Sequence, residues 1–292
     1  MRARPIASDP GFCPVPNSSA RAMEHLFRLA ARDIVRGAHE SRWTARDAVR
    51  SALARIDSLE PRVQAWTLID APMALARAEA LADAPSGVLH GVPVAIKDII
   101  DVAGMPTRFG SPIYADAEPA HESAHSVRAL ERAGAIVLGK SVTTEFAYYT
   151  PRKTRNPWNC AHTPGGSSMG SATAVACGMI PAALGTQTNG SVIRPAAFCG
   201  VIGFKPTIGS VSNHGTLDPW PTLDHTGVFA RDVADAALLA CVVSESRVKD
   251  VVEVRGQPPR LALVRSPVWD LAERAQKERL CLLYTSPSPR DS

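Results

Sequence analysis

The sequence predicts an α/β fold, a layered domain whose β-sheet is covered by helices. Two observations carry this. Short runs that are apolar at every position, such as Val92-Pro93-Val94-Ala95-Ile96 and Ala135-Ile136-Val137-Leu138, alternate with stretches of helical periodicity. A strand that is apolar on both faces needs cover on both faces, so the sheet lies between helical layers. The composition agrees. Of 292 residues, 45% are apolar and 21% charged, ordinary globular values that exclude wholesale disorder and a coiled coil.

The elements follow in order. Residues 1–22 carry Pro5, Pro10, Pro14 and Pro16 and lack the apolar core of a signal peptide, so they read as a flexible tail. A start at Met23 is an equal option. Helical pattern dominates over 23–83. Within it Thr44 is an N-cap, Ala45, Ala48, Val49, Ala52, Leu53 and Ile56 follow at helical spacing, and Pro61 lies past the end. Residues 71–82 form an Ala/Leu helix. Residues 91–96 form a buried strand with Lys97-Asp98 at its end. A helix over 123–132 and a strand over 135–138 come next, then a small-residue helix over 171–177 and a strand over 182–185. Residues 231–243 form a helix started near Asp232, and 261–264 a strand. Residues 271–280 begin a helix, but 284–292 is a Pro/Ser tail where an α/β domain should still be adding elements. Sequence from about 280 onward is therefore read as non-native, with a simple disordered terminus as the alternative. The expected organisation is a tail over 1–22, one domain over 23–279 and a foreign tail over 280–292.

Charge and composition exclude several functions. The net charge of +4 is mild, and aromatics are 5%, so neither nucleic acid nor an anionic membrane is an expected partner. The six cysteines, at 13, 160, 177, 199, 241 and 281, make no C-x-x-C pair. They are expected to be reduced, buried small residues of a cytoplasmic protein, with no metal site. The longest run without Asp, Glu, Lys or Arg, 156–193, is dense in Gly, Ser, Thr, Pro and amides, which a lipid-facing helix would not carry.

Three patterns invite misreading. Gly134 to Ser141 matches the phosphate-cradling G-x-x-x-x-G-K-S, but the intervening Ala-Ile-Val-Leu is itself strand-like rather than an open loop. Gly166-Ser167-Ser168-Met169-Gly170 matches G-x-S-x-G, yet loop-forming Thr163-Pro164-Gly165 precedes it where an elbow needs a strand. Asp224 with His225 or His214 would have to complete that triad. The N-terminal arginines are interleaved with Glu24, Asp33 and Glu40 and read as a solvated helix face.

The informative region is the charge-poor stretch. Gly165-Gly166-Ser167-Ser168-Met169-Gly170-Ser171 packs glycines and hydroxyls together, and Thr186-Gln187-Thr188-Asn189-Gly190-Ser191 repeats the theme. A turn rich in Gly and Asn can aim successive N–H groups at one point, which is the chemistry of an oxyanion hole. A serine ending such a turn is a nucleophile candidate in need of a base. Lys97 ends a buried strand, where desolvation favours its neutral, proton-accepting form.

These residues resemble the amidase signature family. The resemblance rests on Gly91-Val-Pro-Val-Ala-Ile-Lys97-Asp98, Asp101-Val-Ala-Gly-Met-Pro-Thr107, Gly139-Lys-Ser-Val-Thr-Thr-Glu145-Phe, Thr163-Pro-Gly-Gly-Ser167-Ser168-Met-Gly-Ser171, Gly185-Thr-Gln-Thr-Asn-Gly-Ser191-Val-Ile-Arg194-Pro-Ala, Gly203-Phe-Lys-Pro-Thr207 and Asp224-His-Thr-Gly227. It covers residues 23–263. It implies a mixed β-sheet covered on both faces by helices. It also implies a Ser–cis-Ser–Lys triad of Ser191 (nucleophile), Ser167 (bridging serine after a cis peptide) and Lys97 (base). The N–H groups of Thr188, Asn189, Gly190 and Ser191 would hold the oxyanion, and no metal or cofactor is needed. Family chains continue further, so the resemblance implies that this chain is incomplete at the C-terminus, a fragment with its catalytic residues complete.

Four positions depart from the family's commoner residues. Gln187 stands where Asp is frequent, which bears on the hydrogen bonding behind the turn. Asn189 and Met169 stand where Gly is usual. Asn tolerates positive φ, and Met169 adds bulk beside Ser168, a candidate substrate contact. Arg194, three residues after Ser191, marks a malonamidase-like branch in which arginine meets a substrate carboxylate. A guanidinium fork suits that partner, although pairing with a protein acid is the competing role. The implied function is hydrolysis of a small, acidic carboxamide through a seryl acyl-enzyme. One alternative is a glutaminase subunit of a tRNA-dependent amidotransferase. Another is an inactive fragment. A homodimer remains open.

Overall fold

The computed structural model describes residues 26–81, 87–246, 264–265 and 267–285. The chain divides into two compact units, residues 1–252 and 253–292. The first opens with α1 (Ala31–His39), α2 (Ala45–Val63), β1 (Trp66–Ile69), α3 (Ala71–Ala80) and β2 (Pro93–Lys97). It continues with α4 (His125–Arg132), β3 (Ile136–Ser141), α5 (Met169–Ala176) and β4 (Ala182–Gln187). It ends with α6 (Ile193–Cys199), β5 (Ile202–Phe204), β6 (His225–Ala230) and α7 (Val233–Val243). The second unit holds a short turn at Trp269–Leu271 and α8 (Arg274–Thr285).

Helix boundaries follow local chemistry. The Thr44 side chain accepts from the Asp47 N–H, and the Asp47 carboxylate accepts from the Thr44 N–H, a reciprocal capping box that starts α2. Asp70 and Asp232 each cap a helix, α3 and α7, by accepting from the N–H three residues on. Pro61 does not end α2, which runs to Val63 and closes on Gln64 in the left-handed conformation. The Glu60 carboxylate then receives the Ala65 and Trp66 N–H groups at 2.9 Å each, which steers the chain directly into β1.

The sheet is mixed, in the order β1-β3-β2-β4-β6-β5. β3, β2 and β4 are mutually parallel, and the outer pairs are antiparallel. Alternate residues of one strand enter opposite cores. Val94, Ile96, Ala182, Leu184 and Val228 pack with Ala31, Ile34, Leu130 and Leu239 from α1, α4 and α7. Ala95, Ala183 and Phe229 pack with Val49, Ile56, Ala74 and Val175 from α2, α3 and α5. This period-2 split covers both faces with helices, as predicted.

Three strands and one helix go beyond the sequence-based expectation. β1 is four residues between two helices, too short to show a period. β5 and β6 carry Gly203 and Gly227, which weaken a strand signature. A Cβ at Gly227 would lie 2.8 Å from the Phe204 carbonyl oxygen, so close packing between these two strands requires glycine there. The helix is α6, seven residues with Pro195 in its first turn. The expected strand at 261–264 lies outside the described residues except for Val264, which is not in a strand. The last helix begins at Arg274 and includes Tyr284 and Thr285, which the sequence assigns to the tail. Residues 1–22 lie outside the described set. Cys177, Cys199 and Cys241 are buried as expected, but Cys160 is half-buried and Cys281 exposed. Among the described residues no helix is long and apolar enough to cross a membrane.

Candidate active site

β2 and β4 run parallel, so their C-terminal residues, Lys97 and Gln187, lie at the same end of the sheet. Antiparallel β6 begins at that end, with His225 opposite Gln187. The ends of parallel strands are the usual place for a site in such folds. The sequence-predicted residues gather here.

Lys97 is fully buried. Its amine donates to the Ser167 hydroxyl at 2.8 Å and the Thr186 hydroxyl at 2.7 Å. Burial pulls its pKa down to about 7, against the opposing charge of Asp224. A buried ammonium without a directly bonded carboxylate is expensive, so the neutral amine is readily reached.

Ser167 follows a cis peptide from Gly166 and lies just ahead of α5. All eight residues of α5 are buried. A Cβ on Gly170 would lie 2.2 Å from the Ala65 carbonyl oxygen and 2.3 Å from the Val142 nitrogen, so glycine lets the helix approach the sheet. Ser171 ties α5 down, bonding Ser141 at 2.7 Å and the Leu184 carbonyl at 2.8 Å. The Ser167 carbonyl accepts from the Thr144 N–H at 3.2 Å.

Ser191 follows β4 by one turn and precedes α6. Its carbonyl accepts from the Ser168 N–H at 3.3 Å, which joins the two hydroxyl-rich loops. Ser191 is mostly buried, whereas Thr188 and Gly190 are half-exposed and Asn189 is exposed. Among the described residues none accepts from the N–H groups of Asn189, Gly190 or Ser191, which leaves these donors at the site opening. Asn189 does not adopt positive φ, so the turn makes no demand there for a glycine-like torsion. Gln187 ties the turn from behind. Its side-chain carbonyl accepts from the Val192 and Ile193 N–H groups at 2.9 and 3.0 Å.

Two candidate substrate contacts fare differently. Ser168 is completely buried, and its hydroxyl is engaged with both backbone groups of Thr186, at 3.1 and 3.2 Å. Its hydroxyl therefore ties the loop to β4, and this geometry lends no support to the substrate contact expected of it. Arg194 is half-buried. Its Nε donates to the Gly166 carbonyl at 3.0 Å, and its guanidinium passes within 4 Å of where a Gly190 Cβ would stand. Among the described residues it pairs with backbone rather than with a protein acid, and it sits between the two loops.

Lys140, from the apparent phosphate-binding pattern, is in strand β3 and fully buried. It bonds Thr107 at 2.8 Å and pairs with Asp98 at 3.3 Å, so its role is structural. Asp224 opens the last of the motifs that carry the resemblance, which assigns it no role in the Ser191–Ser167–Lys97 triad. It is buried, accepts from the Thr188 hydroxyl, and accepts from the Trp220 N–H at 2.8 Å.

The fold and site define an α/β protein with a buried lysine–serine pair and a serine-terminated turn at its strand ends. The chain belongs to the Amidase family, whose profile matches residues 47–273. A glutamyl-tRNA(Gln) amidotransferase subunit of Nitratidesulfovibrio vulgaris (strain DP4) is 44% identical over 231 residues, 75% of this chain and 46% of that protein. The peptide amidase of Stenotrophomonas maltophilia superimposes with a TM-score of 0.70 at 34% identity, covering 78% of this chain and 51% of that one. An amidase family protein of Bacillus anthracis str. Ames gives 0.72 at 30% identity, covering 78% and 49%. The chain thus spans about half the length of the curated relatives it matches.

Proposed function

We propose that the chain carries the hydrolytic centre of an amidase acting on carboxamide C–N bonds. The observation that carries this is the buried Lys97 amine, with a pKa near 7, 2.8 Å from the Ser167 hydroxyl. Ser191 attacks the amide carbon. Its proton passes to Ser167 as Ser167's own proton passes to the neutral Lys97 amine, two transfers whose net result is one ammonium formed. The N–H groups of the turn 188–191 receive the oxyanion. Collapse breaks the C–N bond, the proton returns to the departing amine, and water releases the acyl group by the same route.

The guanidinium fork of Arg194 suits a substrate carboxylate, which makes a small acidic amide the proposed substrate class. No metal or cofactor enters these steps. A cytoplasmic location, and a small-molecule substrate rather than nucleic acid or membrane, are part of the same reading. A glutaminase role within a larger assembly is a second reading, favoured by the name of the Nitratidesulfovibrio relative.

Ammonia release from a panel of small acidic amides, neutral amides and glutamine tests both. Release from acidic amides that is lost in Ser191→Ala supports the first reading. Release from glutamine alone supports the second. Release that persists in Ser191→Ala contradicts both.

A further inference from the structure

Asp224 stands apart from the residues assigned above. It immediately precedes β6, and the register that sets Gln187 opposite His225 brings it opposite Thr188. Thr188 opens the turn that ends on Ser191, and its hydroxyl donates to the Asp224 carboxylate. The second carboxylate oxygen accepts from the Trp220 N–H at 2.8 Å, and the Asp224 carbonyl accepts from the Asn213 amide at 2.9 Å. The residue is thus fixed from three directions while only 6% exposed. Two residues before Thr188, Thr186 accepts from the Lys97 amine at 2.7 Å. The strand end therefore carries the base on one threonine and the carboxylate on the next but one.

We propose that Asp224 is a positioning residue of this site, holding the oxyanion turn through Thr188 and supplying the counter-charge for the Lys97 ammonium formed when the nucleophile gives up its proton. The proposal rests on the amidase reading. Asp98, next in sequence to Lys97, is neutralised by its pair with Lys140 on β3 at 3.3 Å. The strand end also carries His225, buried beside Asp224, whose pKa is lowered by burial and by the charge of Lys205, and the cations Arg194 and Lys205 bond the Gly166 and Pro206 carbonyls. The Asp224 charge acts on Lys97 in the direction the proposal needs, opposing the effect of burial. An ionised carboxylate there holds the ammonium in a site that would otherwise expel it.

The test is the rate of labelling by a fluorophosphonate as a function of pH, on the whole chain. Labelling needs the neutral Lys97 amine, so it falls as pH drops through about 7. Asp224→Asn keeps an acceptor for Thr188 and removes the charge. Its acid limb is expected about one pH unit lower. Thr188→Val keeps the charge and cuts the tether. Its limb is expected to stay in place while labelling slows about tenfold. An Asp224→Asn limb at the parent position overturns the counter-charge role. An unchanged rate in Thr188→Val overturns the positioning role, and it decides that point even where Asp224→Asn fails to fold. Absence of labelling in the parent chain removes the amidase reading and this proposal with it, a result distinct from either variant's failure.

Discussion

The side-chain carbonyl of Gln187 accepts from the N–H of Val192 at 2.9 Å and from that of Ile193 at 3.0 Å. One amide thus closes the turn that contains Ser191 and satisfies two donors at the start of α6. Gln187→Ala leaves the buried Val192 N–H and the part-buried Ile193 N–H without this acceptor, which costs about 1–3 kcal/mol. Gln187→Glu keeps the acceptor and retains most of that stability. Urea denaturation of both variants checks this, and equal midpoints would remove the tether from the account.

Lys97 is placed for chemistry at the expense of stability. Its pKa is near 7 in the folded chain against 10.5 unperturbed. Between those values the unfolded chain holds a proton that the folded chain lacks, so stability rises with pH across this window and the full penalty is present below it. Lys97→Met abolishes activity, stabilises the fold at pH 7 by about 1–2 kcal/mol, and flattens this part of the pH dependence. Denaturation at pH 7 and pH 9 for both forms measures it.

The Asp98–Lys140 pair is wholly buried at 3.3 Å. Burial raises the Asp98 pKa and lowers that of Lys140, each countered by the partner charge. Removing one charge strands the other. Lys140→Met alone is expected to cost about 3–5 kcal/mol, and Asp98→Asn in the same chain to recover much of it. A double-mutant cycle without coupling would contradict the pairing.

Arg194 bonds the Gly166 carbonyl through Nε, and in the proposed reading its Nη groups meet the substrate carboxylate. Arg194→Ala is expected to lower kcat/KM for acidic amides about tenfold more than for neutral ones, the contribution of one charge-assisted contact. An unchanged preference between the two substrate types would remove the acidic-substrate proposal.

Much of this arrangement is legible in the sequence because it depends on local patterns. Apolar runs place β2, β3 and β4, and Thr44 and Asp232 place two helix starts. Lys97 is singled out by its place at the end of a buried strand, whereas the glycine-rich loop marks a group of serines from which only the family resemblance picks Ser167. β1, β5 and β6 escape such a reading because four-residue length and strand glycines leave no periodicity. Two roles are beyond its reach for another reason. Ser168 and Asp224 each act through partners far along the chain, Thr186 and Thr188 respectively, and only the β4–β6 register and the seating of α5 bring those partners together.

The central claim is that Ser191 is a nucleophile driven by Lys97 through Ser167. Intact mass after exposure to a fluorophosphonate tests it most directly. One adduct on the parent chain, absent in Ser191→Ala and slowed about a hundredfold or more in Lys97→Ala, is the result predicted. An adduct that persists in Ser191→Ala, or forms at the parent rate in Lys97→Ala, would contradict it.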